Sequence, residues 1–369
     1  MNDLQYWLAL SQVYKLPLGV LDKILNQMNM NEIFHLSSAS LRALGVSEEA
    51  VGEIHSVNWS DVARAEKWLE APDSHLVTYQ MPTYPRLLRE IPSAPRFIYV
   101  RGDVSILPSP QVAMVGSRKP TPSGMEIAQS FACSLAQAGL VITSGLAHGI
   151  DAASHEGAIR TGRTIGVLGT GLMHIYPKRN EGLARRILDS GGALVSEFPL
   201  NTPPKPWHFP LRNRIISGLS LATLVVEATE RSGSLITARL ANEQGRDVFS
   251  IPGSIDNRAA QGCLRLIKEG AALVSSVEDV LSEMNWNMVG LDQKIDKNDK
   301  SGDNSSKNLL NDSLCLKVLK AVDLQPTPVD KIVARTALPV NKVNSLLTEL
   351  ELGNYITAQP GGFCKKRTR

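Results

Sequence analysis

Cysteine is scarce and scattered in this sequence: four residues, at positions 133, 263, 315 and 364, form no CxxC pair. A zinc site needs clustered ligands and a disulfide framework needs many cysteines at regular spacing, so neither is expected. The seven histidines are equally dispersed. His148 and His155 have a spacing that suits one helix face, but they lack a third ligand, and no metal or other cofactor is expected. Long apolar runs are also missing. None reaches the roughly 18 residues that span a bilayer, and Met1-Asn2-Asp3-Leu4-Gln5-Tyr6-Trp7 carries an acid where a secretory leader carries Lys or Arg. The expectation is a cytoplasmic protein with no membrane contact. Two nucleotide signatures are absent as well. No G-x-x-x-x-G-K-[ST] occurs, which argues against a P-loop ATPase. The first strand–helix turn, Gly116-Ser117-Arg118-Lys119-Pro120, is not G-x-G-x-x-G and the second strand ends in Thr143-Ser144 without an acid, which argues against NAD.

What remains is a soluble globular composition, 43% hydrophobic and 20% charged, in 369 residues, enough for two or three domains of about 100–200 residues each. The net charge of +3 conceals an asymmetry. Residues 1–80 carry 5 basic and 10 acidic side chains, whereas residues 81–286 carry 21 and 17, and residues 301–369 carry 10 and 6. A polyanion should therefore avoid the N-terminal part.

Residues 1–75 read as short helices, with Leu18-Gly19-Val20 and Leu44-Gly45-Val46 as turns between them. The pattern is similar to SAM-like or helix-hairpin-helix modules, and its acidity favours a packing role over DNA contact. From about residue 108, short apolar strands alternate with helical stretches. Strands are expected at Val112-Val115, Leu140-Thr143, Thr164-Leu168, Ala193-Val195, Ala222-Val226, Val248-Ile251 and Ala272-Val274, with a helix over Gly124-Ala138 whose Ile127, Phe131, Leu135 and Ala138 recur at helical spacing. The fold class is α/β, with a Rossmann-like, doubly wound, mostly parallel sheet over 76–286. Residues 287–312 are polar and low in complexity and are expected to form a flexible linker. Helical patterns at Leu314-Val322, Val329-Ala334 and Val340-Leu352 and a Gly361-Gly362 turn then outline a winged helix over 313–362, before a basic tail at 363–369.

In an open parallel sheet, ligands bind beyond the carboxyl ends of the strands. The residues there are Gly116, Ser117 and Arg118 after the first strand, Ser144 and Gly145 at the second, Tyr176, Lys178 and Arg179 after the third, and Ser232, Gly233 and Ser234 after the fifth. Small residues expose backbone amides and helix N-termini add partial positive charge, so four such turns on one edge favour an anion site. Aromatics interleaved with cations, as in Tyr176-Pro177-Lys178-Arg179 and Lys205-Pro206-Trp207-His208-Phe209-Pro210-Leu211-Arg212-Asn213-Arg214, suit single-stranded nucleic acid, whose bases stack on exposed rings. Trp207 and Phe209 equally suit pinning that loop to the domain.

These motifs carry a resemblance. Val115-Gly116-Ser117-Arg118, Ser144-Gly145-Leu146-Ala147-His148-Gly149-Ile150-Asp151, Tyr176-Pro177-Lys178-Arg179-Asn180, Phe209-Pro210-Leu211-Arg212-Asn213-Arg214-Ile215-Ile216, Ser232-Gly233-Ser234-Leu235-Ile236-Thr237-Ala238 and Gly245-Arg246-Asp247-Val248-Phe249-Ser250-Ile251-Pro252-Gly253 occur in order across residues 75–285. This stretch resembles the DNA processing protein A (DprA, or Smf) family. The resemblance implies a non-enzymatic protein that binds and protects single-stranded DNA, forms a homodimer and loads the RecA recombinase on incoming DNA during natural transformation. It implies DNA contacts from Arg118 and Lys178, phosphate-contacting turns at Ser117, Ser144, Gly145, Ser232 and Gly233, and a contribution from Asn213 and Arg214. Leu264 stands where the family commonly has Asn or His. The alternative is a phosphoribohydrolase-like enzyme or a mononucleotide sensor, with Glu197 and Glu227 as acid–base candidates. Against it, the turn after Glu227 lacks the acid of the P-G-G-x-G-T-x-x-E pattern.

Overall fold

Nine strands form the central sheet, in the order β1-β2-β6-β5-β4-β3-β7-β8-β9. The computed structural model describes residues 3–286, 313–323, 327–336, 338–352, 355–359 and 362–365. The expected linker at 287–312 lies outside the described residues. The strands are β1 (Ser74–Thr78), β2 (Phe97–Gly102), β3 (Gln111–Val115), β4 (Val141–Ser144), β5 (Thr164–Val167), β6 (Ala193–Ser196), β7 (Ala222–Val225), β8 (Asp247–Ser250) and β9 (Ala272–Leu273). β3 to β9 pair in parallel, β2 runs antiparallel to β6, and β1 runs antiparallel to β2. The parallel strands β3 to β7 are buried on both faces, so they read as mostly apolar stretches, broken only by single buried polar residues or, in β4, a terminal pair, rather than as alternating ones. The doubly wound reading is borne out.

From β3 the chain builds outward through β4, β5 and β6, then returns to place β7 against the other side of β3. The point of reversal lies between β3 and β7, and it fixes where the crevice opens. One face of the sheet is covered by helices Pro122–Gln137, Ile150–Ala158 and Val277–Glu283, through Phe131, Leu135, Ile150 and Val280. The other is covered by His208–Leu219, Ser234–Glu243 and Gln261–Lys268, through Ile215, Ile216, Leu219, Ala238 and Cys263.

The N-terminal helices are Asp3–Leu10, Leu18–Leu25, Met30–Ile33, Ser38–Ala43, Glu48–His55 and Trp59–Leu69. Ser37, Ser47 and Asn58 cap three of them, each side chain accepting from a backbone amide two or three residues on. Gly45, at φ +86, closes Ser38–Ala43 as expected of a turn glycine. Gly19 does not: it lies inside the first turn of Leu18–Leu25 with no positive φ. Besides a cluster of their own around Leu21, Ile24 and Leu41, these helices send Leu8, Ala9, Val62 and Ala65 into a cluster with Leu76, Phe97, Tyr99, Leu168 and Leu194 of the sheet region. The described residues up to Trp286 accordingly form one compact unit, and β1 begins at Ser74, ahead of the expected boundary.

The described residues from Ser313 onward belong to a second compact unit. Its helices Ser313–Ala321, Val329–Thr336 and Val340–Leu352 bury Val318, Ile332, Val343, Leu346 and Leu350 around one core. An antiparallel hairpin of β10 (Ile356–Gln359) and β11 (Gly362–Lys365) follows, and Thr327 bridges Phe363. This is the expected winged helix. β11 extends to Lys365, so residues 363–365 are hairpin rather than tail, because pairing with β10 outweighs the basic composition that suggested an end segment.

Candidate nucleic-acid interface

At the carboxyl ends of β3 and β7 the backbone is tied across the point of reversal. The Ser117 amide donates to the Glu227 carbonyl at 2.7 Å, and the buried Glu227 carboxylate accepts the Thr121 amide at 2.8 Å. Thr121 in turn caps helix Pro122–Gln137 through the Gly124 amide at 3.0 Å. Glu227 therefore fixes the Gly116–Pro120 loop. Gly149 packs against that loop at φ +78, where a Cβ would collide with the Ser117 carbonyl oxygen, and the next amide, of Ile150, donates to that oxygen at 3.1 Å.

Between these loops lies an open groove of about 730 Å³, lined by Gly116, Ser117, Arg118, Lys119, Tyr176, Phe209, Asn213, Ser232, Gly233 and Ser234 among others. Its floor is Arg212 with Asp151, both buried. The Arg212 guanidinium donates to the Gly145 carbonyl at 2.6 Å, to the Val167 carbonyl, and to Asn213 Oδ1 at 3.2 Å. Burial lowers it to about 10, with the Asp151 charge raising it and Arg118 lowering it further. Asp151 accepts the Gly145 and Ala147 amides at 3.2 and 3.4 Å. Burial raises its carboxyl, opposed first by the Arg212 charge.

The wall is aromatic. The Tyr176 and Phe209 ring centroids lie 5.5 Å apart, and the Arg118 guanidinium carbon stands 5.7 Å from the Phe209 centroid. Tyr176 is half exposed. Asn180 pins its loop by donating to the Leu146 and Ala147 carbonyls at 2.9 and 3.1 Å, which holds exposed Lys178 and Arg179 beside the Ser144–Gly149 loop. Arg179 Nε donates to His148 Nδ1 at 2.5 Å. Opposite, helix Ser234–Glu243 opens at Gly233, with the Ser232 and Ser234 hydroxyls 2.7 Å apart and open space above the Gly233 α-carbon.

Of the expected residues, Gly116, Ser117, Arg118, Tyr176, Asn213, Ser232, Gly233 and Ser234 line this one groove. Lys178 and Arg179 stand on the neighbouring turn. Ser144 and Gly145 do not face it: the Ser144 hydroxyl is buried and donates to the Met114 carbonyl at 2.6 Å, and the Gly145 amide is taken by Asp151. Arg214 points elsewhere too, its guanidinium largely buried against Glu197. Both carboxylates considered for acid–base work, Glu197 and Glu227, are thus engaged within the fold. Leu264 does not line the groove. The expectations omitted Arg212 and Asp151, although both stand inside the quoted motifs.

A family model described as DNA recombination-mediator protein A matches residues 75–285, and one described as DprA winged helix domain matches residues 311–362. Protein Smf of Escherichia coli is 39% identical over 368 residues, spanning 100% of this chain and 97% of that one. The DNA processing protein DprA of Streptococcus pneumoniae is 42% identical over 231 residues, 60% of this chain and 81% of that one. The X-ray structure of DprA from S. pneumoniae superposes with a TM-score of 0.65 at 36% identity, over 77% of this chain and 98% of that one. A structure of Helicobacter pylori DNA processing protein A, described as giving insight into a unique single-stranded DNA binding mode, superposes with a TM-score of 0.52 at 28% identity, over 57% and 95%. The resemblance read from the motifs is borne out, and the chain belongs to the DNA recombination-mediator protein A (DprA/Smf) family.

Proposed function

We propose that the groove at the β3–β7 reversal binds single-stranded DNA, and that the protein serves DNA processing and recombination by holding such strands as a homodimer and passing them to RecA. The observation that carries the DNA reading is the coincidence, in one groove, of cations that make no ion pair among the described residues (Arg118 and Lys119) with the Tyr176–Phe209 ring pair and the start of helix Ser234–Glu243. Phosphates suit the amides and cations, and splayed bases suit the rings, which a duplex cannot offer. The structure of the Helicobacter pylori relative, described by its single-strand binding mode, supports the same reading. Engagement of Glu197 and Glu227 in structural contacts weighs against the hydrolase alternative.

Titration with labelled oligo-dT and with a duplex of equal length, each at two salt concentrations, tests the proposal. The single strand should bind tighter and lose affinity steeply with salt. Equal affinity for both forms rejects the stacking part of the reading. Nucleoside monophosphates incubated with the protein should release no free base.

Binding should also respond to pH through His148. Partial burial lowers its imidazole below the ordinary 6.5, and the Arg179 and Arg118 charges lower it further. A phosphate in the groove offsets those charges and raises it, so the complex takes up a proton that the free protein does not. Affinity should be flat above neutrality and climb as the pH falls through the raised value toward the lower one. His148→Gln should flatten that climb, and an unaltered profile in the variant removes His148 from the interface.

A further inference from the structure

We infer that the strand does not end at the groove but continues over Trp207 into a second hollow, where the N-terminal helices meet the 198–211 segment; this rests on the reading just proposed. The hollow has a volume of about 990 Å³ and is lined from one side by Tyr14, Lys15, Lys67 and Trp68, and from the other by Met173, Phe198, Lys205 and Trp207. It adjoins the first groove along a shared ridge. Within residues 205–211, Pro206, Phe209 and Pro210 line the groove, while Lys205, Trp207, His208 and Leu211 line the hollow. The neighbouring loop divides the same way, with Tyr176 on the groove and Met173 in the hollow.

The ridge and hollow expose an unusual amount of apolar surface for a chain so poor in aromatics. Trp207 is 61% exposed and Tyr14 and Met173 are each 55% exposed. The Lys205 ammonium stands 5.7 Å from the Trp207 ring centroid, a ring-and-cation pair that offers a stacking face and a phosphate partner side by side.

Local charge points to an anionic occupant. Lys15, Lys67 and Lys205 make no ion pair among the described residues. Of the two carboxylates in the lining, Asp61 pairs with Arg64, while Glu53 accepts the Lys15 backbone amide at 2.8 Å and keeps its charge, so the four cations there, Lys15, Arg64, Lys67 and Lys205, outnumber the carboxylates. The N-terminal part is acidic as a whole, yet the side it turns to the hollow carries the opposite sign. Continuity with the groove, unpaired cations and exposed rings together fit further nucleotides of a single strand better than a peptide, which has no repeating charge to match the lysines.

The test is a length series with the full chain. Labelled oligo-dT of about 6 nucleotides fits the groove alone, whereas about 20 nucleotides can reach both sites. Trp207→Ala should weaken the longer strand about tenfold and leave the shorter unchanged, with Trp207→Phe restoring most of the affinity. Lys67→Ala with Lys205→Ala should flatten the salt slope for the longer strand alone. Equal affinity of wild type and both variants for the longer strand overturns the inference and leaves the hollow to a protein partner. Equal weakening on both lengths overturns it too, by placing Trp207 in the first groove. Arg118→Ala separates the two readings: it should weaken both lengths, and if it weakens neither, the groove reading fails whatever the Trp207 variants do. Because Trp207 is mostly exposed, these substitutions leave the core intact.

Discussion

Arg212→Ala should cost about 3–5 kcal/mol of unfolding free energy, the range found when one member of a buried charge set is deleted. The side chain is 4% exposed and donates to carbonyls at the ends of two different strands, Gly145 after β4 and Val167 on β5. Its removal leaves those oxygens without a charged donor and leaves Asp151 buried without its main opposing charge. Urea unfolding of variant and wild type measures the difference. The pH dependence gives a second signature. Asp151 is already held above the usual carboxylate range, so its charged form burdens the folded state above that raised value and the burden lifts as the pH falls through it. Without Arg212 the value rises further, so the deficit should shrink on acidification, and Arg212→Met with Asp151→Leu should recover much of it. A deficit under about 1 kcal/mol would mean that water or the backbone replaces the guanidinium at little cost.

Arg118→Ala should weaken single-strand binding more than any other single charge deletion in the groove, by about tenfold at low salt. Arg118 offers a phosphate partner and also stands over the Phe209 ring, so truncation removes a charge and loosens the aromatic wall. Lys178→Ala removes only a charge and should cost less. For each phosphate left without its cation, the slope of log affinity against log salt should fall by about 0.7. If both variants keep the wild-type affinity and slope, the groove is not where the strand lies.

Much of the sheet could be read directly, and the reason is burial. β3 to β7 are buried along their whole length because helices cover both faces, so each is mostly apolar with no alternation, and such runs stand out in any sequence. β1 carries no comparable signal: Ser74-His75-Leu76-Val77-Thr78 is half polar, and although β2 opens on the apolar Phe97-Ile98-Tyr99-Val100, eighteen residues with four prolines separate the two strands. Their place depends on the distant strand β6, which no local pattern announces. The groove was legible as a set of turns but not as a set of directions. Arg212 and Arg214 are two apart on helix His208–Leu219, so they project about 200° from each other. Composition shows two arginines; only the helix phase decides that the first lies under the groove and the second against Glu197. Ser144 was misplaced for a similar reason, since a hydroxyl at a strand end serves a neighbouring carbonyl as readily as a ligand.

The apolar cluster joining the first helices to the sheet sets an order on biosynthesis. Leu8, Ala9 and Val62 pack with Leu194 as well as with Leu76, Phe97 and Tyr99, and β2 pairs with β6 at Ala193–Ser196, so these helices leave the ribosome more than a hundred residues before the last of their partners. Over that interval β2 has one free edge and the helices have an uncovered greasy side, which makes the nascent chain a natural client for a holdase. Translation arrested before Ala193 should yield a species that clumps, while arrest past Ser196 should yield one that resists protease across its N-terminal third.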